Sequence, residues 1–342
     1  VSTRMRILIA VVGFVSLVAV ALAAIGSAAG PTRRAAHAGT PGAVSLDPGP
    51  RLIARSTARD TRDHLVAVAA SDPAGPRTVA QISCVRVSAA GGTGICLRLA
   101  DGLRTFEAVV LGPDGTEHRA LPLVGVPNRA RVSPSGRLVT WTVFVTGDSY
   151  NGGRFATRVG ILDTGTGDLV STLEDWAVSV DGRPYQAEDL NFWGVTFAPD
   201  DRYFYATMST AGRRYLVHGD LTTRSIRTVR ENVECPSLSP DGTRLAFKSA
   251  VAGDPDRGWR LSVLDLAGGG VLPLAETRSV DDQAAWIDAR TVAYGLRRGG
   301  GHADVWQVPA DGSGAPSVLI PDADSPATLA GPVEPSADRP KT

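Results

Sequence analysis

The sequence has no net charge: 35 Lys and Arg balance 35 Asp and Glu over 342 residues. A nucleic-acid binder normally carries a basic excess to engage phosphates, so that class is set aside. Histidine is scarce, and the five present (His37, His64, His118, His218, His302) are dispersed, with no pair at helix or hairpin metal spacing. They read as surface residues, and no metal or cofactor is expected. A serine hydrolase needs a Gly-x-Ser-x-Gly elbow, and Gly147-Asp148-Ser149-Tyr150-Asn151 departs from it at the last glycine. Cysteine is sparse at three residues, none near the N-terminal apolar segment, which excludes a lipoprotein anchor. After Pro31 no helical period matches the strength of the strand repeat over residues 51–330, which argues against a helical body.

What is present begins with a leader. Arg4 and Arg6 precede an uncharged stretch, residues 7–30, rich in Val, Leu, Ile and Ala. The stretch fits both a signal peptide and a spanning helix of about 20 apolar residues. Ala21-Leu22-Ala23 and Ser27-Ala28-Ala29 resemble small-x-small cleavage sites. Residues 1–30 are therefore read as a signal peptide or a hydrophobic signal-anchor helix. The domain is expected to be exported, held at the cell membrane by that helix or secreted if the leader is cleaved. Residues 31–50, rich in Ala, Gly, Pro and Thr, read as a flexible linker, and residues 331–342 as a disordered tail.

The cysteines fit such an address. Cys84 and Cys96 flank a turn-rich stretch, residues 88–94, between two apolar runs. A hairpin would let them bridge in an oxidising compartment; two separate buried thiols are the alternative. Cys235, in apolar surroundings, reads as a packed thiol.

Residues 51–330 carry a repeat that is visible in its turns. Ser239-Pro240-Asp241-Gly242 leads into an alternating strand ending at Phe247. Ser133-Pro134-Ser135-Gly136 leads into one ending at Trp141, and Ala198-Pro199-Asp200-Asp201 into one ending at Ala206. A degenerate copy runs from Trp286 through Asp288 to Tyr294. Proline presets φ at the second turn position, Ser or Asp bonds the backbone, and Gly accepts the left-handed region. A second hairpin recurs further along each unit, as in residues 156–167, 215–224, 260–270 and 304–312. Two hairpins make four strands, and four-stranded units at this interval predict a β-propeller. The expected fold is all-β. Clear blades lie between residues 128 and 320, a less regular one covers 79–123, and residues 65–70 with 327–329 complete a sixth. Six blades are preferred over five.

The Ser-Pro-Asp-Gly turn with its trailing apolar-aromatic strand resembles the repeat of TolB-like propellers, over roughly the last three-fifths of the chain. The resemblance implies the fold and an envelope setting. It does not carry over TolB's partners, because the space before the blades is too short for the additional N-terminal domain of that family.

Propellers often bind at the mouth of the central channel, where the innermost strands converge. The positions expected there are Arg129, Trp193, Glu234 and Gln283, which suit a small polar ligand or a peptide terminus. The plainer alternative is that they form rim salt bridges. Asp254-Pro255-Asp256 and Asp281-Asp282 are thin candidates for calcium, since two carboxylates do not make a site. Residues 148–153, with Tyr150, read as an exposed contact loop. The expected function is non-catalytic extracytoplasmic binding or scaffolding of a protein or cell-envelope ligand. The membrane is met through the N-terminal segment, and nucleic acid is not a partner. A propeller hydrolase or lyase acting at the channel mouth is the rival.

Overall fold

The computed structural model describes residues 39–100, 105–145 and 156–330. Six sheets, each built on four antiparallel strands, follow one another along the chain as the six blades of a β-propeller. Blade 2 uses strands Arg86–Ala90, Thr93–Leu99, Phe106–Leu111 and Glu117–Leu123, from the channel outward. Blade 3 follows with Val126–Val132, Leu138–Val145, Ala156–Asp163 and Leu169–Val170. Blade 4 has Asn191–Phe197, Tyr203–Thr210, Arg213–Asp220 and Ser225–Glu231. An extra hairpin, Ala177–Val180 with Arg183–Tyr185, is added at its outer edge. Blade 5 is built from Glu234–Leu238, Arg244–Ala250, Trp259–Asp265 and Val271–Pro273. Blade 6 has Ala285–Trp286, Thr291–Gly299, His302–Pro309 and Ser317–Ile320.

Blade 1 closes the ring. Its outer three strands, Arg51–Ser56, His64–Ala69 and Arg77–Ser83, come from the start of the domain, and its innermost strand, Ala323–Thr328, comes from the end. Strand 77–83 thus belongs to blade 1 and not to the irregular blade expected over 79–123. The expected linker also ends early. Thr40–Pro41 pairs with Thr78 and Val79, and Val44 and Leu46 are buried between blades 1 and 2. Two apolar residues spaced by one were enough to dock a stretch whose composition suggested a tether.

The repeated turns have one geometry. In two copies the glycine N–H closes on the first residue's carbonyl, Gly136 on Ser133 and Gly242 on Ser239, both at 2.9 Å. The serine hydroxyl accepts from the backbone five residues on, at Leu138 and Arg244. In the third copy Asp201 takes the glycine's place at φ 53°, a conformation that Asp tolerates better than most residues.

The alternation of each strand decides the core. Successive side chains point to opposite faces, so every blade packs against both neighbours. Ile53 and Leu65 face blade 2, while Leu52 and Val66 face blade 6. Ile95 and Leu97 meet blade 3, while Cys96 lies against blade 1. The buried apolar residues accordingly form six clusters, one at each blade–blade interface. In blade 4 the Phe204 ring lies over Gly219 of the next strand. A Cβ at Gly219 would fall 2.1 Å from that ring, so the glycine there is a packing requirement.

A buried polar network holds the segment that leads into blade 6. Glu276, 1% exposed, accepts from the Tyr294 hydroxyl at 2.6 Å and from the Arg278 backbone and Nε at 2.8 and 2.9 Å. Arg278 in turn lies 3.8 Å over the Trp306 ring. Burial pushes the Glu276 carboxyl up, but the bonds from Arg278 and Tyr294 outweigh it and hold the group below its ordinary range. A depressed carboxylate contributes stability above its unfolded pKa and loses it as pH falls through the folded value. Acid unfolding of the native chain should therefore show this loss below the usual carboxylate range, and Glu276→Gln should flatten it. An unchanged pH profile in the variant would refute the assignment.

Candidate functional site at the channel mouth

The inner strands do not run straight toward the channel. In blades 4, 5 and 1 a bulge interrupts their pairing, with Gly194 (φ 65°), Cys235 (φ 48°) and Ser325 (φ 53°) in the left-handed region. A bulge adds one residue and re-aims the side chains beside it. Here it lies beside Trp193, Glu234 and Asp324, near the mouth where the inner strands begin.

Five cations and five carboxylates from all six blades are linked around this mouth. Arg129 of blade 3 faces Asp281 at 3.7 Å, and Lys248 of blade 5 bonds the same carboxylate. Lys248 lies 3.8 Å from Glu234, whose other oxygen is 2.6 Å from Arg214 of blade 4. On the other side Arg86 of blade 2 faces Asp282 at 3.6 Å and reaches the Ser325 hydroxyl at 3.4 Å. In blade 1 Arg55 pairs with Asp324 and with Asp63, the latter at 2.7 Å. Asp281 and Asp282 arrive on the segment before blade 6, which lays them across the opening. Glu234 is buried, and burial pushes its carboxyl up against the pull of Lys248 and Arg214. Asp281 is driven the other way. Partial desolvation by its neighbours raises it, but Lys248 and Arg129 more than offset that, leaving it below the ordinary range.

The four residues expected at the mouth divide. Arg129 and Gln283 line the constriction with Arg86, Asp282 and Ser325, around a space of about 30 Å3. A space of that size has room for ordered water between these polar groups. Gln283 acts as a strap: its amide donates to the carbonyls of Val195 (3.3 Å) and Pro236 (3.4 Å), tying blade 6 to blades 4 and 5. Glu234, at the start of the innermost strand of blade 5, joins the ion-pair network but does not line the constriction. Trp193 is buried in the inner strand of blade 4 and does not line the constriction.

Sequence reasoning missed Arg86 and Asp324, the equivalents of Arg129 in blades whose turns lack the repeat motif. Lys248 and Arg214 come from second and third strands, which carry no signal for the channel. The thin calcium candidates have other duties. Asp281 and Asp282 are paired with cations, and Asp254 caps its own turn by accepting from the Asp256 N–H. Among the described residues no group of three or more metal-ligating side chains is present.

Cys84 and Cys96 are joined in a buried disulfide. The hairpin pairs Cys96 with Val87, so Cys84 reaches it from the segment just before the strand. Cys235 is a free, buried thiol. The leader over 1–30 and the contact loop with Tyr150 lie outside the described residues. Among the described residues no helix is long and apolar enough to cross a membrane.

No protein-family model and no curated relative matches the chain. Solved structures do. TolB from Acinetobacter baumannii is similar at 16% identity and a TM-score of 0.58, over 82% of this chain and 67% of that one. The fold is that of a TolB-like propeller. A propeller from a nidogen/laminin complex is similar at 10% identity and a TM-score of 0.53, over 81% of this chain and 97% of that one. At these identities the TolB likeness establishes the six-bladed ring and nothing about ligands.

Proposed function

We propose that this protein is an exported, non-catalytic binding propeller that presents its ion-paired channel mouth to a protein or cell-envelope ligand. One observation carries the reading: the mouth is a charge-balanced polar face whose groups are held by one another from all six blades. Charges fixed in this way are preorganised for recognition, because they need little reordering when a partner docks. The leader pattern and the buried disulfide support export, since such bridges persist in oxidising compartments. The resemblance to TolB and to the nidogen/laminin propeller supports a protein partner.

The test is a capture from native envelope membranes, with residues 39–330 as bait. The bait starts at 39 because Val44 and Leu46 are part of the core. The control is Asp281→Lys, which reverses an exposed carboxylate (68%) bridging Arg129 and Lys248 without emptying the interior. A partner retained by the native bait is expected to be lost by about tenfold or more in the variant. Equal retention by both baits, or no partner at all, would refute the reading.

A further inference from the structure

The other mouth of the channel has a different chemistry. Where the inner strands end and turn outward they enclose a cavity of about 230 Å3. Each blade supplies an apolar wall residue: Ala330, Ala90, Pro134, Pro199, Pro240 and Ile287 for blades 1 to 6. Three of these are the second residues of the repeated turns. Proline presets φ there, and in this ring it also makes the wall of a cavity.

Arg131 borders both this cavity and the constriction beyond it. Its Nη2 donates to the Ala284 carbonyl at 2.8 Å, while its Nε is buried without a partner. No carboxylate among the described residues pairs with it. Asp282, the acid whose field reaches it, is engaged by Arg86 at 3.6 Å and by the Gly295 N–H at 2.9 Å. Burial pushes the guanidinium down to about 10, which leaves it charged at neutral pH. The cations of the opposite mouth are matched with carboxylates. This one is not.

We propose that this cavity binds an aliphatic carboxylate, with the carboxylate on Arg131 and the hydrocarbon body against the proline-lined wall. A desolvated cation without a counter-ion is costly, and an incoming carboxylate relieves that cost. The planar guanidinium matches a carboxylate's two oxygens. The largely apolar wall carries one further charge, Asp288, whose oxygens accept from the Arg290 N–H and the Thr291 hydroxyl, so it selects a body without further negative charge. A free acid and the C-terminal residue of a peptide share this chemistry. The cavity lies at the other end of the channel from the ion-paired mouth, so the two proposals stand or fall separately.

Calorimetric titration of the full chain with hexanoate, hexanol and hexylamine tests it. Hexanoate is expected to bind, and the other two at least about tenfold more weakly. Arg131→Met should weaken hexanoate by at least about tenfold, and so should Pro240→Glu, which places an anion on the exposed rim. Thermal melts of both variants report that the ring is intact. Acetyl-Ala-Ala-Leu, as free acid and as amide, distinguishes the sources. A free acid tighter than hexanoate identifies a chain terminus; one no tighter identifies a small carboxylic acid. Absence of hexanoate binding, undiminished binding to Arg131→Met with an intact fold, or equal binding of hexanol would overturn the proposal.

Discussion

Ending the chain at Pro321 is expected to abolish the cooperative melt of the propeller. The removed strand, Ala323–Thr328, pairs with Arg51–Ser56 and supplies the innermost strand of blade 1. Ala323 belongs to the core shared with blade 6, and Ala327 and Leu329 to the core shared with blade 2. Loss of Leu329 alone forfeits about 2 kcal/mol of burial. Arg55 would lose Asp324 and keep only Asp63, and the lost charge-assisted hydrogen bonds cost a further 1–3 kcal/mol or so. The backbone edge of Arg51–Ser56 would also lie unpaired along the channel. The sum is of the order of a domain's whole stability, about 5–15 kcal/mol. Calorimetry should show the single transition of the native chain replaced by a broad, low-enthalpy one. A chain ending at Ala330 is the control. A shortened chain that melts as sharply and as high as this control would show that the ring does not depend on its closing strand.

Replacing both Cys84 and Cys96 by alanine should cost about 3 kcal/mol, the chain-entropy value for a loop of this length. The bridge ties the segment between blades 1 and 2 to the second strand of blade 2, beside the ring closure. Its loss frees the unfolded chain more than it alters native packing, since both side chains are small. Urea unfolding should show a lower midpoint. Both cysteines are almost fully buried, so a reductant should act on the native protein only as fast as blade 2 opens. An unchanged midpoint in the double variant would remove the bridge from the list of stabilising features.

These two features differ in how far the sequence shows them. The hairpin around residues 88–94 is a local pattern, and two cysteines on either side of a turn suggest a bridge. The register that sets Cys96 opposite Val87 is not written there. The closing strand shows only as the short run 327–329, because Asp324, Ser325 and Pro326 interrupt its alternation. Nothing in the local sequence marks Arg131. Its hydrogen-bond partner, the Ala284 carbonyl, is 153 residues away. Prolines 134, 199 and 240 were legible as turn formers, and their second role exists only once six turns meet around one opening.

By itself the sequence determined the all-β class, the four-stranded unit, the preferred six blades and the residues opening the repeated turns of blades 3 to 6. Each of these rests on local chemistry: the φ of proline, the left-handed tolerance of glycine and aspartate, and the two-residue period of a strand. Only the tertiary structure decided the extent and register of the closing strand, which charges neutralise one another at the mouth and which cation is left over. Those outcomes are sums over residues from all six blades, and a single side chain's partner is set by the ring that brings distant strands together.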